Sequence, residues 1–144
     1  MRVDASIVID RPVGAVFHFY ADEHARNHPR WNPDLDVTVD PARPIGVGTI
    51  FGRRNRMSAT PVEGTMEVVE FDRDRKMVAV VREGPVEYRG DATFERVAPD
   101  RTRLTIGADM PWLEPGSDVS RIRSLMQRSV DNIKRLIESE VPAG

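Results

Sequence analysis

From Leu35 to Met110 the chain is a succession of period-two segments joined by turns too short to hold a crossover, and this limits the fold more than any other feature. Leu35, Val37 and Val39 alternate with Asp36, Thr38 and Asp40, and Pro41 and Pro44 then break the run. Further segments cover 47–56, 62–71, 76–82, 86–97 and 103–110. Such alternation puts apolar and polar residues on opposite faces of a strand. The stretches DRDR, EGP and APDR between them are tight-turn material. Parallel neighbours need a crossover of about a dozen residues or more, so these segments predict a six-strand antiparallel meander. Residues 3–9 can add a seventh strand, with Val3, Ala5, Ile7 and Ile9 on one face and Asp4, Ser6 and Val8 on the other.

The period changes at the C-terminus. Val119, Ile122, Leu125, Met126, Val130, Ile133, Leu136 and Ile137 form one broad stripe at helical spacing, with a candidate cap at Ser117 or Asp118 and a stop at Pro142. A helix over about 118–140 would be roughly 34 Å long and would cross a small sheet. After the first strand, Pro12 can open a short helix carrying Val13, Val16, Phe17 and Tyr20. A second, polar helix is expected over about 22–27, ending before Pro29 because the residue before proline disfavours helical geometry. No repeat, linker or low-complexity tract divides the 144 residues, so a single α+β domain over 1–144 is expected.

Composition removes several function classes. With no cysteine there is no disulfide framework, thiolate metal site or thiol nucleophile. No stretch approaches the roughly 20 apolar residues of a membrane span, and the first residues read as a strand instead of a leader; a soluble, cytoplasmic protein without membrane insertion is expected. The net charge of −2 leaves no basic stripe beyond Arg53, Arg54 and Arg56, which argues against nucleic acid as a partner.

One long helix and two short ones are little to cover the buried face of such a sheet, so space should remain between sheet and helix. Alternation places Phe51 with Thr49, Met66 with Val68, Met77 with Ala79, Tyr88 with Ala92 and Phe94, and Leu104 with Ile106, Ala108 and Met110 on the inward faces. Adaptable methionines, small alanines and a tyrosine hydroxyl suit a ligand pocket; each residue alone reads better as plain core, and only the set, with so little helix to cover it, points to a cavity. From the long helix, Met126, Ser129 and Ile133 face the same space, and Ser129 leaves room where a larger apolar residue would be expected.

The titratable groups give no complete catalytic set. His24 and His28 share one helical face but would need a third ligand such as Asp22 to hold a metal, so no metal is assigned and they read as two solvated histidines. His18 falls off the apolar stripe. Tyr88 is the one inward candidate for acid–base chemistry, with Arg54 or Glu70 joining it only if a strand shifts register by one residue. No nucleotide or phosphate fingerprint is present, since Gly46-Val47-Gly48 precedes a strand with no helix to follow.

The order of elements and the stretches IDRPVGAVFHFYAD, PRWNPDL, GVGTIF, VEGTMEVVEFDRDRKMVAV, ATFERVAPDRTRLTI and NIKRLIE resemble the START-like (SRPBCC) superfamily, specifically its bacterial polyketide cyclase/dehydrase-like branch. The resemblance covers nearly the whole chain. It implies a helix-grip fold, in which a seven-stranded antiparallel sheet wraps a long C-terminal helix, with two short helices after the first strand and a pocket between sheet and long helix. It also implies that Trp31, in the RWNP turn, covers the end of that pocket and that Trp112 approaches from the other side. The leading functional expectation is binding or carriage of a small apolar ligand such as a lipid, polyketide or aromatic metabolite. The alternative is a cofactor-independent cyclase or dehydratase, in which Tyr88 and an arginine orient a poly-β-ketone and stabilise an enolate. A module acting on a partner protein is the third reading. A monomer or homodimer is expected.

Overall fold

A computed structural model describes residues 1–143. The strands are β1 (Arg2–Ile9), β2 (Leu35–Thr38), β3 (Ile50–Asn55), β4 (Val62–Asp72), β5 (Lys76–Glu83), β6 (Val86–Ala98) and β7 (Arg101–Asp109). They form one antiparallel sheet in the order β1-β7-β6-β5-β4-β3-β2, so each neighbour in the meander is also the neighbour in sequence and β1 joins the far edge beside β7. Register shifts at Val68/Glu70 and Arg96/Ala98 bend two of the longest strands, the local kink a bulge produces. The sheet thereby curls around its apolar face.

Three helices fill that concave side. After β1, α1 (Val13–Phe17) runs directly into a π-helical turn (His18–Asp22) and then α2 (His24–Trp31), and the chain closes with α3 (Ser120–Glu140). α3 packs chiefly on β1 and α2. Arg11, just past β1, donates from Nε to the Val141 carbonyl at 2.8 Å and from Nη2 to the Glu138 carbonyl at 2.7 Å, so one guanidinium serves carbonyls that the helix end leaves without partners. Lys134 Nζ reaches the Val8 carbonyl at 2.8 Å. These bonds fix the C-terminal half of α3, where Val130, Ile133 and Ile137 are fully buried. Phe17 packs edge-on against Phe71 and Phe94 at 5.3 and 5.0 Å beneath them.

Two local expectations change. The helix expected to stop before Pro29 runs through it to Trp31. Proline deletes one interior hydrogen bond, but α2 is held from outside: Asn27, fully buried, donates to the Phe19 carbonyl at 2.9 Å, and Asn132 of α3 donates to the Trp31 carbonyl at 3.1 Å. The strand expected from Val47 begins at Ile50, because 46–49 form a turn. Gly48 takes φ +91° there, a conformation that costs a side chain-bearing residue dearly. Thr49 closes the turn, its Oγ1 accepting the Gly46 N–H at 3.0 Å, and so does not join an inward face.

Candidate functional site

α3 does not touch the sheet evenly. Its C-terminal half is sealed into the core, while Ile122, Leu125, Met126 and Ser129 of the N-terminal half are only half-buried and line a cavity of about 220 Å³. Met66 of β4, Met77, Ala79 and Val81 of β5, Tyr88 and Gly90 of β6, and Ile106 and Ala108 of β7 form the opposite wall. Small residues make the space: a methyl added at Gly90 would meet nothing nearer than the Gly107 carbonyl at 3.8 Å. Tyr20, His24, His28 and Trp31 close one end, and Arg53 of β3 enters from the side.

That closed end is polar and aromatic. Trp31 stacks on Tyr20 at 5.0 Å and 12° and on His28 at 4.9 Å and 22°. His24 lies edge-on to Tyr20 and Trp31 and contacts Phe51. Its Nδ1 is 2.8 Å from the Tyr20 carbonyl, and its Nε2 is 2.8 Å from His28 Nδ1. The π-helical turn has a part in this, since the Phe19 and Tyr20 carbonyls at its end are taken by side chains of α2, Asn27 and His24. Burial lowers the pKa of His24 from 6.5 to about 4, and the Arg53 cation acts in the same direction. His28 is held well below the ordinary histidine value by burial, by His24 and by Arg53.

Arg53 has a side chain only 8% exposed, and its Nε donates to Glu83 at 2.8 Å, while Asn55 Nδ2 donates to the other oxygen of the same carboxylate at 3.2 Å. Burial raises the pKa of the Tyr88 hydroxyl, and the neighbouring Arg53 cation opposes the rise. Burial likewise raises that of Tyr20. The cavity therefore offers an apolar body and one end with phenol, imidazole and guanidinium groups. This arrangement can bind a ring-bearing molecule and can hold negative charge that develops on a ligand oxygen.

A family model described as "Polyketide cyclase / dehydrase and lipid transport" matches residues 1–138. The chain belongs to this family. Among curated proteins none matches the sequence. Solved structures share the fold of this chain. The Zhui aromatase/cyclase from Streptomyces sp. R1128 superposes with TM-score 0.72 at 15% identity, covering 99% of this chain and 96% of its own. A START superfamily protein from Mycobacterium smegmatis gives TM-score 0.72 at 12% identity, covering 96% and 97%. DynU16, a protein of the dynemicin biosynthetic locus, gives TM-score 0.71 at 19% identity over 99% of this chain, which spans 49% of that longer one. At these identities the likeness shows the fold, and that fold is the helix-grip arrangement of START and polyketide-cyclase proteins.

Of the residues expected at the site, Trp31, Met66, Met77, Tyr88, Ile106, Met126 and Ser129 line the cavity. Five do not. Phe51, Phe94 and Ile133 point to the same side of the sheet but lie deeper, packed in the closed core. Met110 is buried at the sheet margin, where its carbonyl accepts the N-terminal amine at 2.9 Å. Trp112 is 50% exposed and meets Tyr88 edge-on at 5.9 Å from outside the lining. Trp31 is also not the turn residue expected at a mouth: it is the last residue of α2, 3% exposed, and forms a wall. His24 is buried and His28 half-buried against it; the two are hydrogen-bonded to each other and are not two solvated histidines. Asp22, the third ligand considered, is taken by Arg73 and His18, and among the described residues no group of three metal-ligating side chains assembles.

Arg53 is the residue the sequence reading missed. Arg54 was the candidate there and would have needed a register shift, but Arg54 is exposed and Arg53 inward. The signal was available, because Arg53 stands two residues from the inward Phe51 on the same strand. Glu70 is exposed as well, beside the bulge in β4.

Proposed function

We propose that the protein binds and carries a small ring-bearing apolar molecule in the cavity between the sheet and the N-terminal half of α3. The observation that carries this reading is the uneven burial of α3: Ile122, Leu125, Met126 and Ser129 face open volume on a helix whose other half is tightly packed. At about 220 Å³ the volume lies below the ~300–1,000 Å³ usual for drug-sized ligands, which suits a molecule of one or two rings. Family membership supports ligand binding or cyclase activity.

The test is mass spectrometry of the purified protein under native and then denaturing conditions, with organic extraction of what is released. A discrete small apolar molecule is expected from the parent protein and none from Ser129→Phe, whose ring fills the volume while the fold persists. Should Ser129→Phe not fold, Gly90→Val fills the same space from a strand position that favours valine. Equal release from parent and filled variants would place the ligand elsewhere.

A second reading, a cyclase or dehydratase acting on a ligand in the same cavity, is favoured by the buried Arg53 beside Tyr88. Arg53 would stabilise an enolate oxygen, and Tyr88 would supply or take the proton. On this reading Tyr88→Phe lowers turnover about 10²-fold or more and leaves affinity for an apolar ligand nearly unchanged. A full-rate variant would remove Tyr88 from the chemistry.

A further inference from the structure

The inference rests on the ligand-binding reading above and names what one end of the cavity demands of its occupant. A backbone carbonyl has no proton to give, so the 2.8 Å contact between the Tyr20 carbonyl and His24 Nδ1 places a hydrogen on Nδ1. A neutral imidazole carries one N–H, so His24 Nε2 is a bare lone pair. His28 Nδ1 lies 2.8 Å from that lone pair, and two bare nitrogens at this distance would repel, so His28 Nδ1 holds the hydrogen and His28 Nε2 is bare in turn. The network assigns both tautomers, starting from one carbonyl freed at the end of the π-helical turn.

His28 Nε2 has no hydrogen-bond partner among the described residues, yet no buried side-chain nitrogen or oxygen is sealed without one. It is therefore open, and His28 lines the cavity. We infer that His28 Nε2 is a ligand subsite that accepts a hydrogen bond and selects ring compounds bearing a phenolic or enolic O–H over the same skeleton without the proton. The surroundings narrow the donor. An ammonium group would face the Arg53 cation, and a carboxylate has no proton to offer. The near-parallel rings of Tyr20, Trp31 and His28 favour an aromatic or enolic plane beside them. Burial keeps both imidazoles neutral at ordinary pH, consistent with the tautomer chain.

The test is calorimetric titration with 1-naphthol and with 1-methoxynaphthalene, which has the same rings and oxygen but no proton to donate. The parent protein should bind 1-naphthol roughly three- to tenfold more tightly, the range of one net hydrogen bond, and His28→Phe should lose that preference while still binding 1-methoxynaphthalene. Equal affinities in the parent, or a preference that survives in His28→Phe, would overturn the subsite and leave the cavity reading intact. Binding of neither probe would overturn both. A measurement needing no variant is the imidazole 15N spectrum: both Nδ1 atoms should show as protonated and both Nε2 atoms as bare, with His28 Nε2 moving on addition of 1-naphthol only. A protonated His28 Nε2 would contradict the assignment.

Discussion

At the scale of single residues, the closed end of the cavity is built from groups whose environment sets their state. His24 is 1% exposed, and its pKa falls from 6.5 to about 4 because burial penalises the imidazolium. Between those values the unfolded chain takes up a proton that the folded protein refuses, so stability must fall as pH drops from about 6.5 towards 4. The loss is on the order of 3 kcal/mol at about 1.4 kcal/mol per pH unit, and His28 adds to it in the same direction. Carboxylates with lowered pKa values, such as Asp22, Glu138 and Glu140, add their own loss only as the pH comes down into their usual range near 4. Denaturant midpoints measured from pH 7 to 4.5 should therefore decline in the parent and much less in His24→Phe; a flat parent profile would mean that His24 takes up its proton in the fold as readily as in the unfolded chain. None of this was legible in the sequence. The i, i+4 spacing of His24 and His28 is equally that of two surface histidines, and only the packing of Trp31, Tyr20 and Phe51 around them decides otherwise.

At the scale of elements, strand alternation and turn chemistry located β4 to β7 to within two residues at each end, because side chain direction and turn length are local properties. Where tertiary contacts override local preference the reading slipped. Pro29 sits inside α2 since Asn27 and Asn132 hold that helix from outside, and Arg53 is inward because Phe51 sets the face of β3. Alternation also gives the face of a strand without its depth, so Phe51 and Phe94 were grouped with Met66 and Tyr88 although they fill the core. α3 shows the same division along one helix, and the division can be measured. Ile133→Ala, in the sealed half, should cost about 2–5 kcal/mol. Ile122→Ala, facing the cavity, should cost less than the ~1.5 kcal/mol that marks full burial of such a side chain. Similar losses at both positions in chemical denaturation would mean that the N-terminal half is packed as tightly as the other.

At the scale of the whole molecule, a curled sheet with one long helix encloses more than that helix can fill, and this was the sound part of the argument from sequence to cavity. What fills the space was not legible, because ligand identity depends on a few polar groups brought together from α2, β3 and β6. The methionines report on the central claim that the space is a ligand site. Met66, Met77 and Met126 line the cavity from β4, β5 and α3, whereas Met57 is 46% exposed on the surface and Met110 is buried at the sheet margin. The direct measurement is a methyl NMR titration of methionine-labelled protein with 1-methoxynaphthalene. The methyl signals of Met66, Met77 and Met126 should shift together and saturate, with those of Met57 and Met110 unmoved; a response confined to Met57, or none at any of the five, would contradict the account.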